Sequence, residues 1–257
     1  MFYSREIMKK EDLILYSRHI MLPEIDMDGQ IKLLNSRVSI IGLGGLGSPC
    51  SIYLAASGIG NLSLIDDDLI ELSNLQRQII YTLDDIGKKK SPVAKKRLTK
   101  LNQNIEYINY DERISAKNIN RLLQSSDLIV DCSDNFETRK LINKYCFENN
   151  KKLISGSCIG WKGQILNFNF SSDKSACYEC FFESVDGEDL SCRESSILSP
   201  LAGVIGSYLS IETIKSILGL SGKEEFLLQI DARENNFKKI KILKNPLCKI
   251  CSNTKKS

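Results

Sequence analysis

Apolar runs and polar breaks alternate most clearly between Arg37 and Asp66. Val38 to Ile41 is a short continuous apolar run, the pattern of a strand buried on both faces of a parallel sheet. Gly42, Gly44, Gly45 and Gly47 follow at once, Ile52 to Ala56 continues as an apolar helix, and Asn61 to Ile65 is a second strand ending at Asp66. The same rhythm predicts a helix from about Ser91 to Leu101, with Ser91 as its cap and Pro92 in its first turn. It then predicts a strand over Ile105 to Tyr110, a helix over Asn118 to Leu123, a strand over Leu128 to Asp131 and a helix over Phe136 to Glu148. Strands over Lys152 to Ser157 and Trp161 to Phe170 come next. Residues 1–35 read as mostly helical and amphipathic. Beyond Phe170 the alternation loosens into a polar segment, Glu183 to Ser199, that suits a mobile loop. A helix over Leu201 to Leu218 and a hairpin of Phe226 to Ile230 with Phe237 to Leu243 complete the chain. The predicted class is α/β: a Rossmann-like, doubly wound open sheet, parallel in its first half, with an antiparallel C-terminal extension.

Composition narrows the classes. Of 257 residues, 42% are hydrophobic and 26% charged, as in soluble globular proteins. No apolar run reads as a membrane span, and the first residues carry charge without an apolar signal core, so a cytoplasmic protein that binds no membrane is expected. A net charge of +3 with both signs interspersed argues against a nucleic-acid partner. Nine cysteines with no signal peptide point to metal or thiol chemistry in a reducing compartment. The single histidine, His19, makes a Ser-His-Asp or histidine-metal mechanism hard to build.

The glycine turn has the physics of a nucleotide site. Glycines let the backbone approach phosphate closely, and the helix start offers unpaired N–H groups and a positive dipole end. An acidic residue about 20 positions on, here Asp66, can bind ribose hydroxyls. The spacing is not that of a P-loop, and at this point a nicotinamide dehydrogenase remains open. Asn74 and Arg77 follow a strand end, where they either meet a phosphate or sit in an exposed turn. Lys90 stands just before a helix, either in a phosphate site or in a solvated basic turn. Asp134 lies at the carboxyl end of a buried strand. It can serve a Mg²⁺-bridged phosphate, cap the following helix, or both.

Two CxxC pairs are the most specific local signal. Cys177, Cys180, Cys248 and Cys251 supply four thiolates, the donor set of a closed and therefore structural Zn²⁺ site. Cys192 is unpaired in sequence and precedes Arg193. It is either a reactive thiol or an incidental surface cysteine. Cys50, Cys132, Cys146 and Cys158 read as small core residues.

Taken in order, YSRHI (16–20), GLGGLG (42–47), the DDD ending in Asp68, LSNLQRQ (72–78), GKKKSPVAKKRL (87–98), DCSDNFETR (131–139), CYEC (177–180), SCRE (191–194), GVIGS (203–207) and CKIC (248–251) make the chain resemble the ThiF/MoeB family of sulfur-carrier adenylyltransferases, relatives of ubiquitin-activating enzymes. The match runs from about residue 11 to residue 251. The resemblance implies a single domain over 1–257: a helical arm at 1–35, a nucleotide-binding core at 36–170, and a carrier-binding and zinc region at 171–257. It implies ATP and Mg²⁺ at the strand ends, and a small ubiquitin-like sulfur carrier whose C-terminal Gly-Gly carboxylate is adenylated with release of pyrophosphate. It further implies a separate sulfur donor enzyme and a homodimer. Nucleotide contacts are expected from Gly42, Gly44, Gly45, Asp66, Ser73, Asn74, Arg77, Lys90, Asp134 and Asn135. Asp134 is expected to hold Mg²⁺, Arg77 and Lys90 to neutralise phosphate, and Arg18 to reach in from the other subunit. His19 stands where the family usually has Gln. The SCRE cysteine, Cys192, is expected to act in the later sulfur step. The DDD run and the Cys192-Arg193 pair favour the thiamine branch over the molybdopterin branch. A dehydrogenase or an inactive zinc-bearing scaffold would leave Arg18, Arg77, Lys90 and Asp134 without a purpose. No rhodanese-like domain is expected at the C-terminal end.

Overall fold

The computed structural model describes residues 8–172, 175–182, 196–222 and 225–252. Three helices, α1 (Lys10–Leu15), α2 (Ser17–Ile20) and α3 (Asp26–Leu34), precede the sheet. The parallel half follows: β1 (Arg37–Ile41), α4 (Gly47–Ala56), β2 (Asn61–Ile65), α5 (Lys90–Leu101), β3 (Glu106–Tyr110), α6 (Ile119–Leu123), β4 (Leu128–Asp131), α7 (Phe136–Glu148) and β5 (Lys152–Ile159). Then come β6 (Lys162–Phe168), α8 (Tyr178–Phe182), α9 (Ser199–Leu218), β7 (Phe226–Asp231) and β8 (Asn236–Lys241). All the strands join one eight-stranded sheet in the order β3-β2-β1-β4-β5-β6-β7-β8.

β1 to β5 run parallel, and every later pairing is antiparallel. The reversal happens at one turn. Ile159 pairs with Lys162, so only Gly160 and Trp161 connect β5 to β6. A two-residue hairpin needs positive φ, and Gly160 supplies +57° at no steric cost.

The core has two parts, one on each face of the sheet. Leu54, Leu64, Val130, Ile205 and Leu209 belong to the part that contains α4 and α9. Ile129, Ile142, Phe168 and the four cysteines of the CxxC pairs belong to the part under α7 and α8. Strands buried from both sides carry mostly apolar runs, interrupted here only by the small residues Ser39 and Ser63, which is why β1, β2 and β4 were legible.

α9 corrects one expectation. By length and composition its 20 residues could cross a membrane, although the sequence reading found no such run. Glu212 and Lys215 interrupt it, and the two pair with each other at 2.5 Å. Here α9 packs on α4, β5 and β6, as the core helix of a folded domain does. Ser91 is a second correction. It is buried inside α5, its hydroxyl donates to the Leu64 carbonyl at 2.9 Å, and Lys89 holds the cap position instead.

Candidate active site

β1 and β4 are neighbours whose onward connections leave in opposite directions. β1 leads through α4 to β2, and β4 leads through α7 to β5. The diverging loops leave a crevice at the carboxyl ends of the strands. It measures about 610 Å³, the size of a cofactor pocket, and its wall is mostly polar.

The loop after β1 forms one wall. Gly42 has φ +85°, and a Cβ there would lie 2.8 Å from the Cys132 carbonyl oxygen. Only glycine lets the β1 and β4 ends come this close. The loop is then pinned from both sides. The Leu43 N–H donates to Asp66 Oδ2 at 2.7 Å, and the Leu43 carbonyl accepts from the Tyr81 hydroxyl at 3.0 Å. Asp66 Oδ1 accepts the Asp68 N–H at 2.9 Å. Burial pushes the Asp66 carboxyl above its usual range, opposed by Lys90 and by the two backbone donors. Burial and the facing Asp66 carboxylate raise the Tyr81 phenol, so it stays a donor.

Arg77 and Asn74 line the cleft beside the glycine loop. A single 3₁₀ turn, Leu72–Asn74, positions them, and Glu71 and Asn74 cap it reciprocally. Arg77 Nη1 donates to the Ser73 carbonyl at 3.1 Å, and its Cγ would meet a Cβ on Gly45 at 3.3 Å. Lys90 enters from the start of α5. It is 5% exposed, with Nζ 2.8 Å from Asp68 Oδ2. An unpaired buried ammonium costs several kcal/mol, and Asp68 supplies the partner. At the opposite rim, the Asn135 side chain caps α7 by accepting the Thr138 N–H at 2.9 Å. The cap reading of Asp134 is therefore corrected. Asn135 takes that role, and the Asp134 carboxylate is left exposed on the cleft wall.

Gly42, Gly44, Gly45, Asp66, Asn74, Arg77, Lys90, Asp134 and Asn135 thus line one crevice. Ser73 sits beside it, with its hydroxyl directed to Glu71 at 3.2 Å. Arg18 is exposed on α2 and is not part of this chain's own cleft wall. Cys192 and Arg193 lie outside the described residues, as does most of the expected mobile loop.

Several wall residues escaped the sequence reading. Arg139 is buried one turn into α7 and donates to the Ser133 carbonyl at 2.6 Å and the Gly156 carbonyl at 3.2 Å. Gln78 is 4% exposed, and its Oε1 has no hydrogen-bond partner among the described residues. Arg113 lines the far side, after β3. Gln78 and Arg139 fall within LSNLQRQ and DCSDNFETR, but nothing in those stretches marks them as wall residues, and Arg113 lies in no motif. Cys158 was read as core but is half-buried on the cleft wall, because β5 ends there.

The four CxxC cysteines meet on the other face of the sheet. Their Sγ atoms all lie within 4.8 Å of one another, and all four residues are buried. Cys177 and Cys248 are 3.7 Å apart, Cys177 and Cys180 4.0 Å, and Cys180 and Cys251 3.1 Å. Tetrahedral zinc with Zn–S bonds of 2.3 Å needs sulfurs about 3.8 Å apart. The donor set and spacing fit Zn²⁺, and four protein ligands leave no open coordination position.

Comparison with known proteins agrees with this geometry. The sulfur carrier protein ThiS adenylyltransferase of Escherichia coli K12 is 37% identical over 244 residues, covering 95% of this chain and 97% of that protein. The molybdopterin-synthase adenylyltransferase of the same organism is 38% identical over 245 residues, with 94% and 97% covered. The crystal structure of E. coli MccB with ATP superposes with a TM-score of 0.76 at 28% identity, covering 87% of this chain and 69% of that one. Residues 16–250 match the ThiF family model. A glycine crevice at the β1/β4 split, a four-thiol cluster and near-full-length similarity converge, and the chain belongs to the ThiF family.

Proposed function

We propose that this protein adenylates the C-terminal Gly-Gly carboxylate of a small ubiquitin-like sulfur carrier. The observation that carries the reading is the convergence of Arg77, Lys90 and Asp134 on the glycine crevice. ATP lies with its phosphates against Gly44 and Gly45 and its ribose against Asp66. A carrier carboxylate oxygen attacks the α-phosphorus, the bond to the β-phosphate bridging oxygen breaks, and pyrophosphate leaves. Arg77 and Lys90 stabilise the charge that builds on the transferring and departing phosphates. The nucleophile is already ionised, so no general base is needed, which suits a chain with one histidine. Asp134 would hold Mg²⁺, which when bound neutralises phosphate charge. Cys177, Cys180, Cys248 and Cys251 would hold structural Zn²⁺.

Within this reading, Arg18 completes the cleft of a second copy, residues 171–257 receive the carrier, and Cys192 serves the later sulfur transfer from a donor enzyme. The division into arm, core and carrier-binding region follows the same logic. The Asp66-Asp67-Asp68 run and Cys192-Arg193 favour a thiamine-type carrier. The 38% identity to a molybdopterin-synthase adenylyltransferase keeps a molybdopterin-type carrier as the second reading.

ATP–pyrophosphate exchange, run with Mg²⁺ and each carrier type separately, tests the proposal. Exchange that depends on one carrier's terminal Gly-Gly is expected, and that carrier names the branch. Asp134→Ala should abolish exchange with the fold intact, and Cys192→Ala should spare it. An Asp134→Ala variant exchanging at the wild-type rate overturns the assignment.

A further inference from the structure

Lys90 occupies a position that works against its charge. It is the first residue of α5, where the helix dipole presents its positive end, and it is 5% exposed. A buried cation at that end of a helix needs a close anionic partner to hold it in place. The structure answers with Asp68, which grips Lys90 at two points. The Lys90 N–H donates to the Asp68 carbonyl at 3.0 Å, and Lys90 Nζ donates to Asp68 Oδ2 at 2.8 Å.

Asp68 is itself held. Its N–H donates to Asp66 Oδ1 at 2.9 Å, while Asp66 Oδ2 accepts the Leu43 N–H of the glycine loop at 2.7 Å. An unbroken chain of hydrogen bonds therefore runs from the glycine loop through Asp66 and Asp68 to the Lys90 ammonium. The neighbouring residues repeat the connection, since Lys89 Nζ donates to the Asp67 carbonyl at 2.7 Å. The Asp68 side chain is 64% exposed on the cleft wall, so it is not there to fill a core.

We propose that Asp68 is the positioning residue for Lys90: its carboxylate holds the lysine side chain aimed at the nucleotide phosphates, in fixed register with Asp66 and the glycine loop. In this role Asp68 acts through Lys90. The inference rests on the adenylation reading only for what the held lysine does; the hold itself concerns ATP binding.

The test is a double-mutant cycle with Asp68→Ala, Asp68→Asn and Lys90→Met. ATP affinity is measured by calorimetry without any carrier, and kcat and KM by pyrophosphate exchange with carrier. Asp68→Ala should lower kcat/KM for ATP by about tenfold or more, the usual effect of losing a group that orients a functional side chain. Asp68→Asn keeps the backbone contacts and an acceptor for Nζ but not the charge, and should fall between. In the Lys90→Met background, Asp68→Ala should have no further effect on affinity or rate. Equal effects of Asp68→Ala with and without Lys90 would overturn the proposal, because the aspartate would then act independently. Tighter ATP binding by Asp68→Asn would also overturn it, showing that Asp68 competes with phosphate for the lysine. Wild-type protein that exchanges no pyrophosphate, yet shows the coupling in ATP affinity, would overturn the adenylation reading and leave the Asp68 assignment standing.

Discussion

The crevice at the β1/β4 split and the thiol cluster are built to opposite rules. The crevice collects residues from several separate segments spread between Ile41 and Ile197, and it stays open to solvent. The cluster takes four identical side chains from two short motifs and closes completely. A site that must admit a triphosphate, a metal and a peptide terminus needs donors it can rearrange. A site that only ties two segments of a chain together needs none to spare. The open crevice therefore lies at the strand ends of the parallel half, and the thiol cluster joins segments that follow the antiparallel strands β6 and β8.

The comparison breaks first at the cluster. Cys248→Ser should lose stoichiometric zinc and destabilise the fold by something on the order of 5 kcal/mol, because metal binding to such a site is folding free energy. Metal analysis and urea unfolding measure both, and unchanged stability would mean that the cluster is not a structural tie. Arg77→Ala should do the reverse. Exchange should fall by roughly 10²–10³-fold, the effect of removing one charge-stabilising group. Unfolding free energy should move by no more than about 0.5 kcal/mol, because the side chain is only partly buried. Gly42→Ala should touch both properties. It forces a side chain into positive φ and against the Cys132 carbonyl, costing about 1–3 kcal/mol and moving the loop off the phosphates.

The smallest effect is set by pH. Burial alone would raise the Asp85 carboxyl, but hydrogen bonds from Arg97 and Thr82 pull it down to about 2. The stability Asp85 contributes is fully present above its unfolded value near 3.8 and is lost as pH falls towards about 2. Asp85→Asn should therefore be less stable than wild type at pH 7, with the gap closing between pH 4 and 2. A gap that persists at pH 2 would place the contribution in geometry rather than charge.

The parts of the fold legible in advance were those where local pattern and tertiary environment agree. β4 and α7 match the reading from residue to residue, because a strand buried on both faces must be apolar and a helix needs a start signal. That start signal was shared between Asp134 and Asn135 in the sequence, and only the folded backbone gives it to Asn135. Ser91 failed as a cap because a buried hydroxyl found the Leu64 carbonyl, a partner 27 positions away. Arg139, Gln78 and Cys158 were missed for the same reason, as their placement on the wall depends on how α7, the segment after β2 and β5 converge.

Sequence alone determined the kinds of groups available: a glycine turn whose backbone a ligand can approach closely, cations and a carboxylate at strand ends, and two thiol pairs at metal spacing. These are local facts, since glycine permits its backbone and CxxC sets its own sulfur spacing wherever the chain goes. Folding decided which groups meet. It set Cys177 against Cys248 across 71 positions and Lys90 against Asp68 across 22, and it left Arg18 outside its own chain's cleft. Such contacts arise because burying the two faces of one twisted sheet leaves only one way to bring these distant segments together.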